Sequence, residues 1–319
     1  MVCRLLLLSL LLSLLSANTV KYGGELYMDG QNARNIGMGG YSASFSDGRN
    51  PALLIHALEP SVHFSHKNKF SGLARVSSFS YLHYDSINGK QSPLYFSIVN
   101  RSVNNIPDTR AAWMDDGDFN PERGEINYVD INEISQNELG LKISFLRQYD
   151  KFALGISIKP TYTNLAEYSA WGVSSDIAAI VPLLNNKIEF SVRAEDIIGF
   201  NRWNTNTIET NMPFIIAGGQ IQVASLLLGI EIGSRLEDNY QLNYHAGFEF
   251  HQQGQMVIIR GGVSHNKLFS AGIGLDINVI HVDYAYTHPL KISPFEPSHI
   301  VSVGILLNKF NRIKGKITS

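Results

Sequence analysis

The sequence predicts an all-β protein, a transmembrane antiparallel up-and-down β-barrel of about fourteen strands with a short N-terminal plug segment. Three observations predict this fold. An export signal opens the chain, apolar and polar residues alternate along most of its length, and no later segment has the roughly 20 apolar residues of a membrane-spanning helix. The 27 glycines favour β structure, and the formal net charge of −2 gives no basic field that would attract nucleic acid.

Residues 1–17 have the order of a secretory signal peptide. Arg4 supplies positive charge, 5–15 is almost unbroken leucine and serine, and cleavage is expected after Ala17. Cys3 precedes the apolar stretch, so it is misplaced for a lipoprotein anchor and is expected to leave with the signal. The mature chain would then have no disulfide and no thiolate chemistry.

The alternation has a period of two residues, which is typical of strands with one apolar and one polar face. In 152–159 and 269–276, every second residue is apolar, and the residues between are Gly, Ala, Ser or charged. A soluble sandwich or propeller would alternate in the same way, with its apolar face in a core. Polar faces that combine charges with Gly and Ser fit a wet lumen, and no blade-length repeat is visible, so the pattern favours a membrane barrel.

Strands and connections follow in order along the chain. We expect strands near 61–67, 71–84, 92–101, 134–147, 151–162, 173–182, 187–195, 212–222, 225–233, 240–250, 255–264, 268–276, 279–286 and 298–308. If the first strand runs outward, the outer loops include 102–133, 163–172, 196–211, 234–239 and 287–297. The inner turns include 148–150, 183–186, 223–224, 251–254 and 277–278. Each of these turns is shorter than each of these loops, as in bacterial outer-membrane barrels. The expected organisation is thus a signal peptide at 1–17, a plug-like segment at 18–60, a barrel at 61–310 and a tail at 311–319.

A Gly-rich segment lies between the signal and the first expected strand. It contains the motifs Gly37-Met38-Gly39-Gly40 and, further on, Asn50-Pro51-Ala52. The segment resembles the opening of the PorV/PorQ family of outer-membrane proteins, which is similar in fold to the FadL transporters. Weaker matches at 167–170, 271–275 and 282–286 extend the resemblance along nearly the whole mature chain. Two departures from the family pattern are Arg49, where an aromatic residue usually stands, and the chain beyond Phe310, where family barrels commonly end.

The resemblance implies that 18–60 folds into the barrel as a plug, where Gly37, Gly39 and Gly40 would allow tight bends. It implies the outer membrane of a Gram-negative-type bacterium, in contact with membrane lipid and lipopolysaccharide. Two functions follow from it. The first is a link to type IX protein secretion, in which the protein binds secretion-system components or exported cargo. The alternative is a FadL-like channel for hydrophobic or small molecules.

Nine charged residues fall on the polar faces of expected strands. Arg or Lys facing lipid at the membrane midplane costs about 2–4 kcal/mol, so we expect these residues to face the lumen. There they would pair with one another or with plug residues such as Asp29 and Arg34, or form a selectivity lining. The nine residues are Lys142, Lys159, Glu189, Arg193, Glu231, Glu249, Arg260, Asp276 and Asp283.

The longest expected outer loop carries oxygen-bearing side chains at alternate positions, a spacing found in calcium loops. A complete EF-hand pattern is absent, so a solvated acidic loop is the simpler interpretation and a structural Ca²⁺ is the alternative. No other cofactor is expected, and no Ser, His and Asp arrangement indicates an enzyme. The candidate calcium ligands are Asp116, Asp118, Asn120 and Glu122.

Overall fold

The structure is a computed structural model that describes residues 20–22, 25–84, 86–87, 89–114, 117, 125–236, 241–265, 268–290 and 297–308. Two short helices, α1 (Glu25–Asp29) and α2 (Ala33–Gly37), precede the main sheet, and 3₁₀ helices lie at Pro51–His56, Phe70–Gly72 and Tyr128–Asp130. The strands are β1 (Val20–Tyr22), β2 (Ser61–Lys69), β3 (Ala74–His83), β4 (Ser86–Ile87), β5 (Lys90–Gln91), β6 (Leu94–Asp108), β7 (Asn132–Gln148), β8 (Ala153–Leu165), β9 (Tyr168–Leu183), β10 (Ile188–Glu195), β11 (Gly199–Trp203), β12 (Ile208–Asn211), β13 (Phe214–Val223), β14 (Leu226–Arg235), β15 (Asn243–Phe250), β16 (Val257–Ser264), β17 (Leu268–Ile277), β18 (Ile280–Pro289) and β19 (Ser298–Leu306).

The main sheet closes into a barrel whose antiparallel wall is formed by β2, β3 and β6 to β19, in chain order. The last strand closes the ring on the first, with Leu306 opposite Ser61. β10 and β11 both pair with β9 and therefore occupy one strand position, and β12 and β13 occupy the next. The small β4–β5 hairpin stands apart. The barrel thus has fourteen strand positions, which confirms the predicted fold class.

The apolar faces of the strands point outward and the charged faces point inward. On β10, Phe190 and Val192 are 56% and 54% exposed, whereas Glu189 and Arg193 are only 3% and 2% exposed. A surface of this kind would be unfavourable in water and is suited to membrane hydrocarbon, while the charged interior is the usual lumen of an outer-membrane barrel. No helix among the described residues is both long and apolar enough to span a membrane.

The two ends of the barrel differ. One end, which we call the inner end, has the turns 149–152, 184–187, 224–225, 251–256 and 278–279, close to those predicted. At the other, outer end, two predicted loops are wrong. Residues 163–172 belong mostly to β8 and β9, which meet at the two-residue turn 166–167, and 196–211 contains β11 and β12. These parts of the strands carry polar residues on both faces and no regular apolar alternation by which to recognise them.

One hairpin of the wall is interrupted on both of its strands. β10 ends at Glu195. The next residue, Asp196, has a positive φ of 55°, and its backbone N–H donates to Asp176 Oδ1 at 3.0 Å. The partner strand breaks at Met212 and Pro213, and proline has no N–H to donate to a ladder. The backbone pairing of β10 with β13 therefore stops at Glu195 and Phe214, and pairing resumes further out between β11 and β12.

The N-terminal segment lies inside the barrel. Its first strand, β1, pairs in parallel with β12 at the outer end. α1 lies against β6 and β7, α2 packs on β16 to β19, and Pro51–His56 packs on β7 to β9. The segment therefore enters the lumen from the outer end and reaches β2 at the inner end, and we call residues 25–60 the plug.

Candidate functional site

The plug has its own internal fold, which is organised by Asn35. This fully buried side chain accepts hydrogen bonds from the N–H groups of Ala43 and Ser44, both at 2.9 Å, and donates to Asp47 Oδ2 at 2.6 Å. Burial raises the pKa of the Asp47 carboxyl, and hydrogen bonds from the Arg49 N–H and the Asn35 amide act in the opposite direction. The plug is therefore a compact loop and not an extended tail.

The Gly37-Met38-Gly39-Gly40 motif fits against the wall of the lumen. Gly39 and Gly40 have φ of +73° and +86°, the left-handed region that favours glycine. A β-carbon on Gly39 would lie 2.6 Å from the backbone of Val263. On the wall side, a β-carbon on Gly247 would lie 2.3 Å from the Met38 carbonyl oxygen. Glycines on both surfaces thus allow the two backbones to touch.

We predict that Gly39→Ala displaces the plug, because the new methyl group meets the rigid backbone of β16. Gly254→Ala is the matched control, since Gly254 has a similar φ of +82° but open space around it. Limited proteolysis of the folded protein should cut the plug faster in Gly39→Ala and at the wild-type rate in Gly254→Ala. Equal cutting of both variants would show that backbone strain, and not the plug contact, determines the result.

The Asn50-Pro51-Ala52 motif starts the 3₁₀ helix that closes one side of the inner end. The Asn50 side chain caps this helix by accepting from the Ala52 N–H at 3.0 Å. Pro51 packs directly on Gly155, where a β-carbon would lie 2.4 Å from the proline carbonyl carbon. The buried apolar cluster around this helix contains Ala52, Leu53, Leu54, Ala57, Leu82, Tyr95, Leu146, Ala153, Ala178 and Ile180.

Arg193 is the centre of a buried ion network that joins the wall to the plug. Its guanidinium donates to Glu231 at 2.5 and 3.1 Å and to Glu195 at 2.8 Å. Glu195 also accepts from Arg49 of the plug at 3.1 Å. Arg49, the residue before Asn50, therefore makes an ionic contact between plug and barrel.

Two buried lysines of the wall lie below α1. Lys159 contacts both Asp176 and Asp196 at 2.6 Å, and Lys142 contacts Asp176 at 3.0 Å. Asp176 also accepts from the backbone of Asp196, so this cluster holds the interrupted strand β10 in place. Charges buried this deeply are stable only when they are paired.

Tyr27 of α1 caps the lysine cluster. Its hydroxyl lies 2.7 and 2.9 Å from the backbone carbonyl oxygens of Leu141 and Pro160 and can donate its one hydrogen to either. Lys159 Nζ lies 5.1 Å from its ring centre, within cation–π range. A β-carbon on Gly140 would lie 2.7 Å from the Tyr27 hydroxyl. Gly140 therefore makes room for the plug, as Gly247 does lower in the lumen.

A second network links α2 to the opposite wall. Arg34 makes two hydrogen bonds of 2.8 Å to Glu249, which also accepts from Arg260 at 2.6 Å. Arg260 then contacts Asp283 at 2.6 Å, and His281 lies 3.0 Å from the same carboxylate. This chain of alternating charges crosses from the plug to three strands of the barrel.

Asp29, at the end of α1, is held by three cations of the wall. Its carboxylate lies 2.8 Å from Lys69, 3.0 Å from Arg101 and 3.4 Å from Lys67. Burial acts to raise the pKa of this carboxyl, but the three cations outweigh burial and hold the pKa well below its usual range. Asp29 therefore remains charged and docked at neutral pH.

Eight of the nine charged residues singled out in the sequence are buried in the lumen: Lys142, Lys159, Glu189, Arg193, Glu231, Glu249, Arg260 and Asp283. The ninth, Asp276, is exposed at the inner end, beside a cavity. Several partners were missed, among them Asp176, Glu195 and Arg49. Asp176 lies on the inward face of β9 with the buried Ser174 and Ala178, so the alternation could have identified it.

The calcium candidates Asp116, Asp118, Asn120 and Glu122 lie outside the described residues. Within the part of the chain that the structure describes, no group of three or more His, Cys, Asp or Glu side chains is arranged to hold a metal ion.

Cavities lie at both ends of the plug. The outer cavity has a volume of about 370 Å³ and lies between α1 and the strand extensions at the outer end. The inner cavity, of about 240 Å³, lies between the plug and strands β2, β3 and β17 to β19. A third cavity, an apolar groove of about 550 Å³, lies on the lipid-facing surface beside β13.

No protein-family model and no curated protein matches the chain. Solved structures match over most of its length. The toluene transporter TodX of Pseudomonas putida has a TM-score of 0.60 at 11% identity and covers 88% of this chain and 99% of its own. The toluene transporter TbuX of Ralstonia pickettii has a TM-score of 0.57 at 11% identity, with the same coverage. The protein therefore has the fold of the FadL-type barrels of the outer membrane.

Proposed function

We propose that the protein is a plugged channel through which small molecules cross the outer membrane. The observation that carries this proposal is the position of the plug, between a cavity of about 370 Å³ at the outer end and one of about 240 Å³ at the inner end. A molecule entering the outer cavity meets the plug before it can reach the inner one. The plug is therefore the barrier that transport has to overcome.

The contacts between plug and wall suit a barrier that shifts and returns. Many are ion pairs and hydrogen bonds, such as Arg34 to Glu249 and Asp29 to Lys69, which water can replace when the plug moves. The apolar cluster around Leu54 closes the inner end beside β7 to β9. The inner cavity, beside β17 to β19, combines serine and charged side chains with apolar ones such as Phe45 and Phe64, and it offers the route inward.

The comparisons support this function over the link to type IX secretion. The similar structures are named as toluene transporters, and one mutant of TodX is named as a monoaromatic hydrocarbon channel, with a TM-score of 0.58 and 12% identity. These names belong to those proteins. They support the channel alternative from the sequence, and neither of them refers to secretion.

Solute entry into liposomes tests the proposal. Liposomes that contain the protein should swell in small solutes faster than protein-free liposomes, and Gly39→Ala should accelerate swelling because the plug no longer fits the wall. Toluene uptake should be measured in parallel with a dye held inside the liposomes. Entry of both polar solutes and toluene at the protein-free rate, in the wild type and in Gly39→Ala, would overturn the proposal.

A further inference from the structure

The outer cavity differs in chemistry from a hydrocarbon site. Its wall includes the inward faces of β11 and β12, which carry Asn201 and Trp203 on one strand and Glu209 and Asn211 on the other. The facing strand β8 adds the hydroxyls of Thr161 and Thr163. Leu26 and Tyr27 of the plug form the floor. Hydrogen-bonding groups thus surround the space from several sides.

The polar groups of this wall are weakly satisfied by one another. The Asn201 amide donates to Asn211 Oδ1 at 3.4 Å, and Thr161 donates to Asn201 Oδ1 at 3.3 Å, both longer than the usual range. Among the described residues, the Glu209 carboxylate has neither a hydrogen bond nor an ion pair. These groups are therefore available to a ligand.

Trp203 adds an aromatic surface to the same wall. Its indole Nε1 is buried and, within the described part of the chain, has no hydrogen-bond partner. The rest of the ring offers an apolar face for C–H groups.

A hydrocarbon does not fit this cavity well. It would exclude water from the amides, hydroxyls and carboxylate without replacing the lost hydrogen bonds, and that is unfavourable. A polyhydroxylated ligand donates and accepts around its rim and presents C–H groups on its faces. The volume of about 370 Å³ lies in the range of cavities that hold small organic ligands.

We infer that the outer cavity is a binding site for a neutral polyhydroxylated ligand of mono- or disaccharide size, held by Asn201, Asn211, Glu209 and Thr163 against Trp203. This inference rests on the proposed channel function and names the substrate class that the channel would select. The hydrogen-bonding groups of the wall discriminate for hydroxyl-rich molecules and against hydrocarbons before either reaches the plug.

Tryptophan fluorescence tests this site directly, because the chain has only three tryptophans. The variant Trp113→Phe/Trp171→Phe retains Trp203 as its one reporter. The matched control, Trp113→Phe/Trp203→Phe, retains Trp171, which lies on the exposed outer face of β9. Maltose serves as the probe and toluene as the competing class. Maltose should change the Trp203 signal saturably and leave the Trp171 signal unchanged.

Binding should also depend on the amides. In the Trp203 reporter, Asn201→Leu should raise the apparent Kd for maltose about tenfold, as expected for the loss of more than one hydrogen bond. Arg202→Leu, on the exposed opposite face of β11, should leave the Kd unchanged.

A saturable response to toluene with none to maltose would overturn the inference, as would the absence of any maltose response or an equal response from both reporters. Liposome swelling is measured separately. Swelling without maltose binding would therefore refute the ligand class and leave the proposed channel intact.

Discussion

Replacing Arg193 with methionine is expected to lower the free energy of unfolding by about 3–5 kcal/mol, because it leaves buried carboxylates without their main partner. Arg193 and Glu231 are each only 1% exposed at their side chains and are joined by two hydrogen bonds. In this variant Glu195 keeps its contact with Arg49. The Glu231 carboxylate, in contrast, would lose the one ion pair that it makes with a described residue. Methionine retains most of the arginine volume, so packing changes little.

A double-mutant cycle separates the charge from the packing. The variant Glu231→Met should also be destabilised, whereas Arg193→Met/Glu231→Met should recover a large part of the loss, because no unpaired charge from this pair remains. Arg202→Met, at an exposed position of β11, is the control. Urea unfolding of protein refolded into lipid vesicles measures each value. A double variant that loses the sum of both single losses would contradict the account of this network.

The spanning part of the barrel could be predicted from the sequence because the membrane imposes one rule on it. Outward residues face hydrocarbon and inward residues face the lumen, so β8 and β14 alternate with a period of two. β11 and β12 are short and show no such alternation. For the same reason, the predicted loops 163–172 and 196–211 were wrong, although the number of strands was right.

The candidate site could be predicted only in part. A charge on an alternating strand can be assigned to the lumen, as with Arg193 and Glu231, but its partner depends on how the strands curve and how the plug folds. Asp196 could not be assigned, because it lies at the break after β10, where the alternation ends. Gly247 and Gly262 appear in the sequence as ordinary small lumen residues. Their contact with Met38 appears only when the plug is in place.

A cross-link between the plug and the barrel wall is expected to stop movement of the plug. The Ala33 N–H donates to Ser302 Oγ at 2.8 Å, which links the start of α2 to β19. This hydrogen bond places the two residues side by side, and we therefore choose them for a disulfide bond, which joins β-carbons about 3.5–4.5 Å apart. In the variant Ala33→Cys/Ser302→Cys, oxidation should therefore fix the plug to the wall, and reduction should release it. Cys3, the one native cysteine, is replaced by serine in this background.

The disulfide bond fixes a segment that many ion pairs already hold in place. The folded structure should therefore change little, while transport is lost. The single variants Ala33→Cys and Ser302→Cys control for the substitutions themselves, because neither can form the cross-link. Heat-modifiable migration on a gel should be the same for the oxidised and reduced proteins, which shows that the barrel is intact in both.

The most direct measurement compares solute entry into liposomes that carry the Ala33→Cys/Ser302→Cys protein before and after reduction. We predict that the oxidised protein admits solute at a rate close to that of protein-free liposomes, and that reduction restores the wild-type rate. Equal entry through the oxidised and reduced proteins would contradict the claim that the plug is the barrier to transport.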